Sequence, residues 1–200
     1  MHIDLTVDPN IWWYLSRAAA IVGWFMLTAS VLWGIVLATD LFPKKRKAAW
    51  LLDLHRALAG LTFFFVAAHL GMLTLDSHAH IGLRAMTIPF ATTWRPTAVT
   101  LGVAGAYLLI AIELTALARK HLSKIWWRDI HFASYLVFWS VSIHSALAGT
   151  DASRPLYTIP SVVVLAATVF AVTYRILSRD LPKRRPARAA KQAAAAVRSV

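Results

Sequence analysis

The chain of 200 residues contains no cysteine. Disulfides, iron–sulfur clusters, thioether-linked c-type haem and thiolate-bound zinc are therefore excluded. Charge is scarce too: Asp, Glu, Lys and Arg make up 15% of the residues, against about a quarter in soluble domains. There is no GxGxxG or other dinucleotide fingerprint, and no internal repeat of solenoid period. The opening MHIDLTVDPN has no Lys or Arg. It lacks the basic region of a cleaved signal peptide, so the first apolar segment is expected to be retained.

What the chain has instead is apolar length. Hydrophobic residues make up 58% of it, and mean hydropathy is +0.59. Runs long enough to span a bilayer, about 20 residues each, recur along it. Lipid offers no hydrogen bonds to the backbone, so helices or a closed barrel are required. The ~10-residue alternation of a barrel is absent. The sequence predicts an all-α integral membrane protein with five transmembrane helices: Trp12–Thr39, Trp50–Leu75, Pro96–Ala118, Trp126–Gly149 and Leu156–Leu177. Trp12, Trp13, Trp50, Trp94, Trp126 and Trp127 fall near predicted ends, where aromatic belts form. GLRAMTIPF, between the second and third helices, reads as a short interfacial segment stopped by Pro89.

The formal net charge is +12. In a soluble protein that excess would raise nucleic acid as a partner, but no recognition motif is present and none is expected to bind. The positive charges cluster in Lys44, Lys45, Arg46 and Lys47, in Arg119, Lys120, Lys124 and Arg128, and in the C-terminal stretch. Five spans put all three clusters on one side. The positive-inside bias then predicts the N-terminus outside and the C-terminus in the cytoplasm of a bacterial plasma membrane. Residues 1–177 form the expected membrane domain. Residues 178–200 form a basic tail, disordered or lying on anionic headgroups.

Two of the apolar segments carry spaced histidines. His55 and His69 are 14 residues apart in LLDLHRALAGLTFFFVAAHLGMLTL, and His131 and His144 are 13 apart in WWRDIHFASYLVFWSVSIHSALAG. Ionisable groups in lipid are costly, which makes them functional candidates. The two helices run in the same direction, so the histidines match by depth: His55 with His131, and His69 with His144. At 1.5 Å per residue the two levels lie roughly 20 Å apart. Two metal centres stacked across the membrane follow, and b-type haem between the second and fourth helices is the natural occupant, since imidazole is a common axial ligand. One membrane histidine alone is well explained as a hydrogen bond at a helix contact. Four in matched pairs would each need a separate polar partner.

The angular test is mixed. Fourteen residues return within ~40° of the starting face, whereas thirteen end ~140° away. The fourth helix needs a bend or bulge, yet no Pro or Gly lies between His131 and His144.

HRALAGLTFFFVAAHLG and WRDIHFASYLVFWSVSIHSALAG resemble the ferric reductase-like transmembrane domain superfamily, which includes NADPH oxidases, ferric reductases and the haem-binding subunit of methionine sulfoxide reductase systems. IPFATTWRPTAVTLGVAGAYLL is also similar to bacterial members. The resemblance runs from Ser16 to about Thr150. It implies an inner b haem on His55 and His131 and an outer one on His69 and His144, both bis-histidine. It places Arg17 beside the outer haem; the alternative is an arginine snorkelling to the interface. Arg56 and Arg128 are candidates for neutralising the inner propionates, or flank charges. Three departures stand out. No flavin or nicotinamide domain is expected after the last helix, five spans are expected rather than six, and Leu73 occupies the place of a further histidine found in the oxidases.

The expected function is transmembrane electron transfer through two haems. The donor is a cytoplasmic flavoprotein carrying FAD or FMN, and the acceptor lies outside. One rival is a quinol-linked membrane anchor of an extracytoplasmic reductase. Another is a non-redox channel or transporter with ion- or proton-binding histidines. Secondary candidates are Phe63, Phe64 and Phe138 between the levels, or simply packed against lipid or core. Glu113 either handles protons or pairs with Arg119 or Lys120. His78 and His80 are either a loop metal site or solvated, and His121 is an exposed loop residue. Met26 and Met72 are read as packing.

Overall fold

The computed structural model describes residues 8, 10–39, 49–77 and 81–178. The Lys44–Lys47 cluster, His78, His80 and the tail from 179 lie outside the described residues. Among those described there are helices and no strands. They are α1 (Ile11–Ala38), α2 (Ala49–Leu75), α3 (Leu83–Thr87), α4 (Pro96–Leu117), α5 (Lys124–Phe132), α6 (Ser134–Ala148) and α7 (Pro155–Ser178). Five spans, with α5 and α6 counted as one, are long and apolar enough to cross a membrane. The architecture is that of a multi-pass membrane protein.

Local chemistry sets the helix ends. Pro96 opens α4 at a position where its missing N–H costs nothing. Ser123 caps α5 by accepting from the Trp126 N–H at 3.2 Å. Pro155 opens α7. The short segment GLRAMTIPF contains α3, which ends before Pro89.

The fourth predicted span differs from expectation. It is not one helix: α5 ends at Phe132 and α6 begins at Ser134. Ala133 between them donates to the Ile130 carbonyl at 2.9 Å, an i→i−3 bond that tightens the turn. His131 and His144 therefore stand on two helical segments and need not obey one helical period. This interruption falls between the two histidines, where a continuous helix would turn them ~140° apart.

The bundle is two helix pairs. α1 packs along α2 and α4 along α6, while α2 and α6 barely touch. Glycines allow the close approach within each pair. A Cβ on Gly23 of α1 would lie 3.3 Å from Phe65 Cβ of α2, and one on Gly105 of α4 would lie 2.8 Å from Val141 Cγ2 of α6. Small residues at contacts are the usual route to tight helix packing in lipid, where apolar surface gains nothing by leaving one oily phase for another. Polar ties cross the same seams. Trp33 Nε1 donates to the Leu51 carbonyl at 2.8 Å, and Ser140 Oγ donates to the Leu101 carbonyl at 2.7 Å. Trp24 Nε1 reaches Ser142 Oγ at 2.9 Å and joins α1 to α6.

A buried cluster of Leu27, Val31, Ile35, Leu109, Ile112, Val137 and Phe138 sits where α1, α4 and α6 meet. Phe138 is thus core. Phe63 and Phe64 are 43% and 62% exposed. They face outward, not into the space between the histidine levels.

Gly105→Val is expected to force α4 from α6 and lower the thermal unfolding midpoint in detergent, by an overpacking cost of about 1–3 kcal/mol. Gly60→Val is the control, because a Cβ there meets nothing within 4 Å. Equal midpoints for the two variants would contradict the packing.

Candidate functional site

The gap between the two helix pairs holds two cavities, and each contains one predicted histidine pair. His69 and His144 line the first, and His55 and His131 the second. They contain about 1360 and 1240 Å³ of atom-free space, open mouths included. Leu27, Leu109 and Val137 line both cavities and form an aliphatic septum between them.

Each imidazole is half-buried, and three of the four are held from behind. His144 Nδ1 lies 2.7 Å from the Ala98 carbonyl of α4. His69 Nδ1 lies 3.0 Å from the Ser16 carbonyl and 2.8 Å from Ser16 Oγ of α1. Ser16 Oγ in turn donates to the His69 carbonyl at 3.1 Å. A carbonyl only accepts, so in both rings Nδ1 carries the proton and Nε2 is a bare lone pair. His55 Nδ1 has a longer contact, 3.4 Å to Ser30 Oγ. His131 Nδ1 is buried with no partner. Its ring is instead stacked on Trp127, with centroids 5.1 Å apart and planes 19° from parallel.

A histidine kept only to bridge helices would be complete with its Nδ1 bond. Here Nε2 has no hydrogen-bond partner in any of the four rings, among the described residues. The His55 and His131 centroids are 6.0 Å apart. Two metal–imidazole bonds of about 2 Å each, plus the ring radii, require roughly that spacing. Among the described residues no three His, Asp or Glu side chains converge on one point. Each cavity thus brings together two imidazoles.

Glycine makes room for the rings as well. A Cβ on Gly102 would sit 2.8 Å from His144 Nδ1, and one on Gly34 would sit 3.2 Å from His55 Cε1. Each cavity therefore has a glycine against an imidazole. Sequence reading missed both, since their helix face is not evident without the packing.

The other candidates divide. Arg17 lines the His69–His144 cavity and ion-pairs with Asp151, which also holds Arg154 at 3.5 Å. Arg128 lines the His55–His131 cavity and lies 3.7 Å from Asp129. Arg56 does not line it: its side chain is 65% exposed and pairs with Asp53 at 3.1 Å. Arg175 of α7 lines that cavity instead, and its sequence position among the C-terminal flank charges gave no hint of this. Glu113 lines the same cavity. It forms no ion pair with Arg119 or Lys120 among the described residues. His121 is exposed, and Met26 and Met72 line neither cavity. Trp13, Trp94 and Trp127, expected in aromatic belts, line the cavities.

Against protein-family models, curated proteins and solved structures, the chain has no match.

Nitrogen-15 NMR of histidine-labelled, ligand-free chain is expected to show His69 and His144 protonated at Nδ1. Gly102→Ala should move the His144 resonances and leave those of His69 in place. A wild-type His144 protonated at Nε2 would contradict the geometry.

Proposed function

We propose that this protein is a transmembrane electron conduit that holds two b haems between α2 and α5–α6. It would act as the electron-transfer component of an oxidoreductase of the ferric reductase-like kind. The observation that carries the reading is the pairing of the four histidines at two levels, with their Nε2 atoms left for the cavities they line. Two opposed imidazoles suit a metal whose other positions are filled by a macrocycle. They fall short of the three or four protein ligands that zinc takes. The resemblance of the two histidine-bearing segments to ferric reductase-like domains supports the same reading.

Haem held there by His55 and His131 at one level and by His69 and His144 at the other would supply reversible one-electron chemistry at iron, which suits electron transfer. The chain's own residues do the rest. The Ser16 and Ala98 carbonyls orient His69 and His144 and raise their basicity as ligands. Leu27, Leu109 and Val137 keep water out of the layer between the levels. Arg128 and Arg175 place positive charge in the His55–His131 cavity, where propionate carboxylates would be neutralised. The Arg17–Asp151 pair plays a neutral counterpart at the other level.

The positive-inside bias makes His55–His131 the cytoplasmic level and His69–His144 the outer one, in a bacterial plasma membrane. Electrons enter at the first from a flavoprotein carrying FAD or FMN, or from quinol, and leave at the second to an acceptor outside.

Purified protein is expected to show a Soret band, a sharp reduced α-band and two haems per chain. His55→Ala and His131→Ala should each remove the same one haem, and His69→Ala and His144→Ala the other. Protein without these bands, or loss of one haem by both His55→Ala and His144→Ala but not His131→Ala, would overturn the reading.

A further inference from the structure

The four imidazoles are not supported alike. Three have a polar neighbour at Nδ1, and His131 has none. A ligand ring with no such bond is free to rotate about its bond to the metal unless something else fixes its plane. Among the described residues, the ring packed face to face with His131 is Trp127, one turn earlier on α5. The indole Nε1 of Trp127 is itself buried without a partner. Buried indoles ordinarily find a hydrogen bond, so the side chain is kept here for its face. The indole is also engaged by Arg119, whose guanidinium carbon lies 4.5 Å from the ring centroid, a cation–π contact. Arg119 comes from the turn just before α5. A cation, an indole and an imidazole are thus linked from the helix start to the cavity.

We propose that Trp127, engaged by Arg119, is the positioning residue for His131, fixing its ring plane by stacking where the other histidines use hydrogen bonds. This rests on the haem-binding reading above. The consequence is specific. The His55 and His131 planes are 77° apart. Nearly perpendicular axial imidazoles leave the iron d orbitals close in energy and give a highly anisotropic low-spin EPR signal. Rings nearer to parallel give a rhombic one. The signal from this level therefore reports whether Trp127 holds the ring.

The test is low-temperature EPR and an anaerobic redox titration of full-length, haem-loaded protein in nanodiscs, with the His69–His144 level as internal control. Trp127→Leu is expected to shift the His55–His131 signal toward a rhombic form and to move that level's midpoint potential, leaving the other level unchanged. Trp127→Phe retains an aromatic face and should keep the wild-type signal. Arg119→Gln should give a smaller shift at the same level. An unchanged His55–His131 signal in Trp127→Leu overturns the proposal. So does a displaced signal in Trp127→Phe, whatever the Leu variant does. Wild-type protein that binds no haem would instead overturn the haem-binding reading, and this inference with it.

Discussion

The structure depends on hydrogen bonds from histidines that tie α2 to α1 and α6 to α4. His69 of α2 is anchored to the Ser16 backbone of α1, and His144 of α6 to the Ala98 backbone of α4. Each bond does two things at once. It joins the two helices of a pair, and it assigns the ring proton to Nδ1 so that Nε2 is left for the gap. In lipid, apolar packing between helices gains little over packing against acyl chains. Such ties and the glycine contacts beside them carry the association. The gap persists because each pair is complete in itself and α2 has little to hold against α6.

That arrangement leaves the histidine cavities where stability is not invested. The buried cluster around Val137 and Phe138 joins α1, α4 and α6, and its edge residues separate the cavities. The His55–His131 level is built differently from the other. It has longer or missing Nδ1 contacts, an indole stack, and the cationic Arg128 and Arg175 beside Glu113. The His69–His144 level has short carbonyl bonds and a paired Arg17–Asp151. Two histidine pairs are thus set in unlike surroundings, and hydrogen bonds to a ligand ring and nearby charge are the levers by which a protein tunes a metal centre.

Much of this was legible in the sequence, for physical reasons. Apolar runs of bilayer length define the spans, and Pro89, Pro96 and Pro155 mark loop and helix boundaries. The depth pairing of the histidines follows from rise per residue and helix direction alone. What failed were statements that need a rotation angle. Arg56 adjoins His55, but one residue is ~100° around a helix, so it turns to Asp53 on the outer face. Arg128 precedes His131 by three and shares its face. Phe63 and Phe64 take the lipid-facing alternative that the sequence left beside a place between the levels. The break at Ala133 has no sequence mark, since Phe, Ala and Ser are all tolerated in helices. Gly34, Gly102 and Arg175 matter through contacts between elements distant in the chain, which one sequence does not disclose.

The most direct test of the central claim is an iron anomalous-scattering map of the crystallised protein. Two peaks per chain are expected, roughly 20 Å apart, one between His55 and His131 and one between His69 and His144. A map with no iron in the gap, or with iron bound away from these four rings, would contradict the account.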